Sequence, residues 1–259
     1  MDKKGLKFPT YESFKIWFDE KTKNYRFKTG KQPGSFHEDF ANGKAPLGFL
    51  KEWARQNYCF IQLTNANWIW ILINYQDLWK REPDLYDAVA SKIGSELSSP
   101  VPGGHGRCFV TYARYFGLTD EELFTAKPIL EMEARINSSL VFRSQSPAQT
   151  AVRMMMEGFV GYAMKTRAEI LREKYHLPDE ALEFFDMHVQ ADMEEHGPEG
   201  EEFLEKLYQL GMVKQEDYEG MRMQVELSLS GSQPGHQGFS WQNVLYEQFC
   251  QENCARANT

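Results

Sequence analysis

Cysteine is scarce in this chain. Its four residues, Cys59, Cys108, Cys250 and Cys254, do not form the framework of a small disulfide-stapled secreted domain. Cys250 and Cys254 are spaced for one helical face, not for a zinc knuckle, and all four read as reduced thiols. Long hydrophobic runs are also missing. The longest, near Trp68–Ile73, falls far short of the roughly 20 residues that span a bilayer. The opening MDKKGLKFPTYESF has no apolar core, so no secretory signal is expected. Positive charge is in deficit: 29 Lys and Arg against 37 Asp and Glu leave a net charge of -8, which argues against a nucleic-acid binder. No alternating apolar stretch is long enough to build a sheet, and no internal repeat is visible. These absences lead us to expect a cytoplasmic protein with no nucleic-acid or membrane partner.

What the chain does have is helical spacing almost throughout. With 42% hydrophobic residues in 259, one packed core is feasible and disorder is not expected. Tyr11–Phe18 reads as an amphipathic helix, and the basic stretch Thr22–Ser35, with Gly30, Pro33 and Gly34, as a loop. Pro46 suits the first turn of a helix carrying Leu47, Leu50, Trp53, Ala54 and Tyr58. The aromatic-rich Asn65–Trp79 reads as a buried helix. Further helices are expected from Pro83 to Glu96, over Arg107–Phe116 and Thr119–Phe124, and from Ile129 on. Others follow over Gln149–Tyr175, from Pro178, from Pro198 and over Lys214–Leu229. Ser99–Gly106 and Ser144–Pro147 read as connections. The class is all-α: a single helical-bundle domain over residues 1–229, then a linker at Ser230–Gly238 and a last helix, Phe239–Ala255, with Trp241, Val244, Leu245 and Phe249 on one side.

One stretch carries chemistry. EFFDMHVQADMEEHG, Glu183 to Gly197, sets His188, Asp192 and His196 four residues apart, so on a helix they share one stripe. Such a stripe offers three N and O donors to a transition metal. The alternative is a solvated acidic helix with incidental histidines, given Glu183, Asp186, Glu194 and Glu195 around it. Matching donors elsewhere decide between the two. Glu96 closes the Pro83 helix, with Val89 and Ile93 on its apolar side. His105 follows a Pro/Gly loop. Glu157 lies among Met155, Met156, Phe159 and Val160, where a carboxylate is costly unless paired or metal-bound. Arg153, one turn back, is the alternative partner for Glu157. Gly161, on the same face, is expected to open space for a small ligand. Three carboxylates and three imidazoles are enough for two metal ions, and mixed ligation of this kind suits iron or manganese. Two ferrous ions against three carboxylates leave positive charge that would favour an anionic substrate or a peroxide.

The ordered set Glu96, His105, Glu157, His188, Asp192, His196 resembles the heme-oxygenase-like diiron oxidases and oxygenases. FHEDFANGKAPLGFLKEWARQNYCF likewise resembles the opening helix pair shared with pyrroloquinoline-quinone synthase and thiaminase II relatives. The resemblance covers roughly Phe36 to Leu210. It implies a heme-oxygenase-like helical bundle and those six residues as metal ligands. It also implies two Fe(II) ions with O2 as co-substrate, and oxidation of a small molecule such as an amino acid, amine or fatty acid, in specialised natural-product metabolism. An external electron donor and a homodimer are further expectations. The chain departs from the family pattern in two places. Three residues, not two, separate Asp192 from His196, so a helix bulge is expected there, or Glu195 takes the coordination place. Glu38-Asp39 replaces Pro-Phe after His37.

Arg107, Arg143 and Arg153 are candidates for binding a substrate carboxylate; Lys165, as a substrate contact, and Tyr162, as a distant electron source, are better read as a solvated lysine and ordinary bundle packing. Three other functions compete: a cofactorless oxidase of the pyrroloquinoline-quinone synthase type, a thiaminase-like hydrolase with Cys108 as nucleophile, and a helical interaction protein.

Overall fold

A computed structural model describes residues 7–23, 35–98, 103–142, 146–230 and 241–257. All regular structure among them is helical. The elements are α1 (Tyr11–Thr22), α2 (Ser35–Ala41), α3 (Leu47–Asn74), α4 (Gln76–Arg81), α5 (Pro83–Ser98), α6 (Gly104–Tyr115) and α7 (Asp120–Phe124). After these come α8 (Leu130–Phe142), α9 (Pro147–Tyr175), α10 (Asp179–Gln190), a π-helical segment (Ala191–His196), α11 (Gly197–Gln209), α12 (Gln215–Ser230) and α13 (Trp241–Ala257). Local chemistry accounts for several starts. Thr10 and Thr119 close capping boxes with Ser13 and Glu122. Ser146 caps α9, with Pro147 in its first turn.

α9 is the axis of the fold and packs against α10, α11, α12 and the π-helical segment. Its first half, from Ala148 to Met156, belongs to an apolar cluster with Phe14, Ile71 and Phe203; its last turns, at Ala168 and Leu171, belong to a second cluster around Trp53, Tyr112 and Phe185. Glu157 to Gly161 lie at the junction, so the chain places its mid-helix carboxylate between two dry cores.

Two expectations change. The residues read as separate helices at 47–58 and 65–79 belong to one helix, α3, followed by the short α4. The apolar run in α3 is not wholly buried: Ile71 is inside, while Ile69, Trp70 and Ile73 are exposed. No helix among the described residues is long and apolar enough to cross a membrane.

The C-terminal helix α13 packs on α2 and α3 of the bundle. It buries Trp241, Leu245 and Tyr246, the last in place of the expected Val244. Asn243 Oδ1 accepts the Phe36 N–H at 3.0 Å, and Tyr246 donates to Asp39 Oδ2 at 2.7 Å. Asp39, where this chain departs from the family pattern, thus anchors the tail. Truncation after Gly238 removes three large buried side chains, each worth about 1.5–3 kcal/mol, and uncovers the faces of α2 and α3 on which they pack. The expected outcome is a marked fall in Tm and in the urea midpoint; an unchanged melt would show that α13 contributes nothing to the bundle.

Candidate metal centre

The six expected donors converge in two groups of three. One is Glu96, His105 and His188; the other is Glu157, Asp192 and His196; within each group, one donor atom per residue lies within 4.8 Å of the others. The His–Asp–His stripe is therefore divided between the groups. α5 supplies Glu96, α6 supplies His105, α9 supplies Glu157, and α10 with the π-helical segment supplies the rest.

Backbone conformation explains how each donor is delivered. Gly103 and Gly104 adopt φ of 97° and 57°, which brings the start of α6 back onto the end of α5. A Cβ on Gly104 would stand 2.0 Å from the Glu96 carbonyl oxygen, so only glycine permits this approach. It sets His105 Nδ1 3.0 Å from Glu96 Oε2. On the other side, the bulge expected between Asp192 and His196 is present as the π-helical segment Ala191–His196. A wide turn rotates the residues beyond it, a feature frequent at functional sites. Asp192 and His196 are both buried, and Asp192 Oδ1 lies 3.2 Å from His196 Nδ1. The Glu195 side chain lies outside the described residues. Gly161 serves differently from expectation: a Cβ there would stand 2.4 Å from Met193 Cγ, so the glycine accommodates the bulge, not a ligand.

The donors are prepared electronically. His188 Nδ1 is 2.6 Å from the Phe184 carbonyl, which can only accept; Nδ1 therefore carries the proton and Nε2 presents a lone pair. Burial lowers the His188 pKa, against the pull of Asp192 and Glu96, so the ring is neutral at neutral pH. Burial alone would raise Glu96, but Lys92, then His105, hold its carboxyl well below the usual range. Glu157 is likewise pushed up by burial and drawn down further by Lys92 and Arg153, with a net lowering.

Sequence reasoning missed Lys92. Its ammonium lies 2.9 Å from Glu96 Oε1, 3.0 Å from Glu157 Oε2 and 2.9 Å from His196 Nδ1, with the side chain only 1% exposed. The signal was available: Leu85, Val89, Lys92 and Glu96 continue one helical stripe at spacings of four, three and four. Arg153 Nε, 3.3 Å from Glu157 Oε1, makes the pairing held open as the alternative. Glu157 is thus both paired and grouped with metal-type donors.

The groups sit on the wall of a cavity of about 200 Å³, whose lining includes the aromatic Trp53, Phe60, Phe109 and Phe184 and the polar Arg135, Arg153, Arg167, Gln224 and Gln242. Of the arginines singled out in the sequence, Arg153 lines this cavity, Arg107 is exposed, and Arg143 lies outside the described residues. Lys165 and Tyr162 are exposed. Cys108 is buried away from the cavity lining, and burial, then Glu183, push its thiol up to about 11, which leaves no thiolate for nucleophilic attack.

The donor set fits iron. It combines carboxylates and imidazoles in equal number, the mixture suited to a redox-active first-row metal. Two of its buried atoms, Glu157 Oε2 and His105 Nδ1, have contacts at ion-pair distance but no properly directed hydrogen bond.

Two outcomes follow from this geometry. Gly104→Ala forces a side chain into a left-handed conformation and against the Glu96 backbone. We expect a loss of about 2 kcal/mol or more of stability by denaturant unfolding, with weakened metal binding. The pH profile has a definite sign. His188 is held neutral and the two glutamates are held ionised in the folded state, so the unfolded chain binds more protons as pH falls. Stability of the metal-free protein should be full above about pH 6.5, decline as the unfolded-state histidine protonates, and decline further below about 4.5. A Tm independent of pH from 7 to 4 would contradict this.

Residues 51–229 match the sequence profile of a family described as iron-containing redox enzymes. Among solved structures, the chain is similar to a domain of unknown function with a heme oxygenase-like fold from Shewanella denitrificans OS217. That match has a TM-score of 0.62 and 16% identity, over 93% of this chain and 90% of that one. At this identity the likeness bears on the fold alone. No match was found among curated protein sequences. The family match spans well over half of the chain, and the protein belongs to the iron-containing redox enzyme family, with a heme oxygenase-like all-α fold.

Proposed function

We propose that the protein is a non-heme diiron oxidase or oxygenase that uses O2 to oxidise a small organic anion. The observation that carries this reading is the convergence of six buried or half-buried donors into two three-residue groups beside one apolar-walled cavity. Glu96, His105 and His188 would hold one ferrous ion, and Glu157, Asp192 and His196 the other. Iron bound there supplies the electrons that activate O2. The chain's own residues do the rest. The Phe184 carbonyl keeps the His188 ring in its ligating tautomer. Arg135 and Arg167 lie over the Phe60 and Trp53 rings, at 4.2 and 5.7 Å from the centroids, and present fixed positive charge to the cavity. They suit the carboxylate of an amino acid or fatty acid, while the aromatic wall suits its body and excludes water. Where the substrate does not supply all the electrons that O2 reduction requires, an external donor is needed.

One observation favours a competing reading, the metal-free oxidase. Lys92 and Arg153 already compensate much of the carboxylate charge. Metal analysis separates the two readings. Protein loaded anaerobically with ferrous ion is expected to hold two irons per chain, and His188→Ala or Glu157→Ala to lose at least one while keeping a helical circular-dichroism spectrum. Two irons held as tightly in both variants would sink the assignment.

A further inference from the structure

We propose that the Lys92 ammonium is a built-in cation that pre-assembles the Glu157–Asp192–His196 group and competes with the metal ion there, so that the two ion positions fill in order, Glu96–His105–His188 first. The proposal rests on reading the two groups as metal ligands and adds what this chain does at that site.

Geometry gives the first argument. Lys92 Nζ contacts two donors of one group, Glu157 Oε2 at 3.0 Å and His196 Nδ1 at 2.9 Å, but only one of the other, Glu96 Oε1 at 2.9 Å. Glu96 keeps its second oxygen turned to His105, 3.0 Å from its Nδ1. A divalent ion can therefore take up the Glu96 group with one ammonium contact disturbed. At the Glu157 group it must compete with the ammonium at both the carboxylate and the imidazole, each within 3.0 Å of Nζ.

Charge gives the second argument. The buried cluster holds three carboxylates, Glu96, Glu157 and Asp192, against two cations, Lys92 and Arg153, a net of minus one before the imidazoles are counted. One divalent ion brings this to plus one, and a second to plus three. Repulsion at such distances is strong in a site shielded from water. The second ion therefore binds against Lys92 both sterically and electrostatically, and an anionic substrate offsets the excess. Lys92 is a positioning residue here: it touches the ligands, not the reacting atoms.

The test is equilibrium binding of ferrous ion under anaerobic conditions to wild type, Lys92→Met and Lys92→Gln, with Mn(II) electron paramagnetic resonance as a second readout that distinguishes one bound ion from a coupled pair. Wild type should bind in two steps. In both variants the second step should tighten by about tenfold or more, with the first little changed, and the coupled-pair signal should appear at lower Mn(II). Variants that fold only when metal is present also support the proposal, since the ion then replaces the ammonium in holding the carboxylates together. Second-step binding that is unchanged or lost in both variants overturns it, and so do variants that fold in neither condition, because Lys92 would then be a cation that no ion replaces. Two equally tight ions in wild type, unaltered by substitution, remove this proposal and leave the metal reading intact. No ion bound by any of the three proteins removes the metal reading and this proposal with it.

Discussion

Burial of charge inside an apolar bundle is the constraint on which the site depends. Three carboxylates, a lysine and an arginine are brought together between two clusters of phenylalanine, methionine and tryptophan. None of them could be left alone there, because an unpaired ion in a dry interior costs several kcal/mol. The arrangement resolves this by mutual pairing: Lys92 bridges Glu96 and Glu157, and Arg153 backs Glu157 from one turn away. The pairing is incomplete in its directions: Glu157 Oε2 and His105 Nδ1 are buried without a properly directed hydrogen bond.

The helices around the cluster are bent to its needs. The Gly103-Gly104 pair folds the start of α6 against the end of α5, and the π-helical segment offsets Asp192 and His196 from the register of α10. Close approaches occur where side chains are missing: Gly158 against Gly197, and Gly200 against Met154 and Met155. Each glycine weakens its own helix by roughly 1 kcal/mol relative to alanine. The gain is that α9, the π-helical segment and α11 come close enough to place donors from separate elements around one point. α13 also reaches the cavity, to whose lining it contributes Gln242, while Asp39 and Asn243 lock it to the bundle.

Much of this was legible in the chain itself, because helical periodicity is local. The all-α class and most helix positions follow from spacings of three and four residues, while the six donors in their order, and the irregular turn expected after Asp192, were legible through the resemblance to the heme-oxygenase-like diiron oxidases, whose pattern has one residue fewer between Asp192 and His196. The partition of the donors into two groups was not legible, since it depends on which helices meet. The charge balance was not either. Counting metal against carboxylate left out Arg153, although it was legible as a partner of Glu157, and overlooked Lys92, which reads as an ordinary helical charge until its ammonium is seen to reach Glu157 from α5. Gly161 was misread for the same reason: a glycine announces a close approach without saying what approaches. The exposed Ile69, Trp70 and Ile73 show the limit from the other side, for an apolar run says nothing about which of its faces is covered. The sequence by itself determined the elements and the chemistry available to them, because backbone propensity and side-chain type act over a single helical turn. Tertiary structure alone decided which donors share a group, which cations stand among them and what lines the cavity, because those depend on distances between residues far apart in the chain.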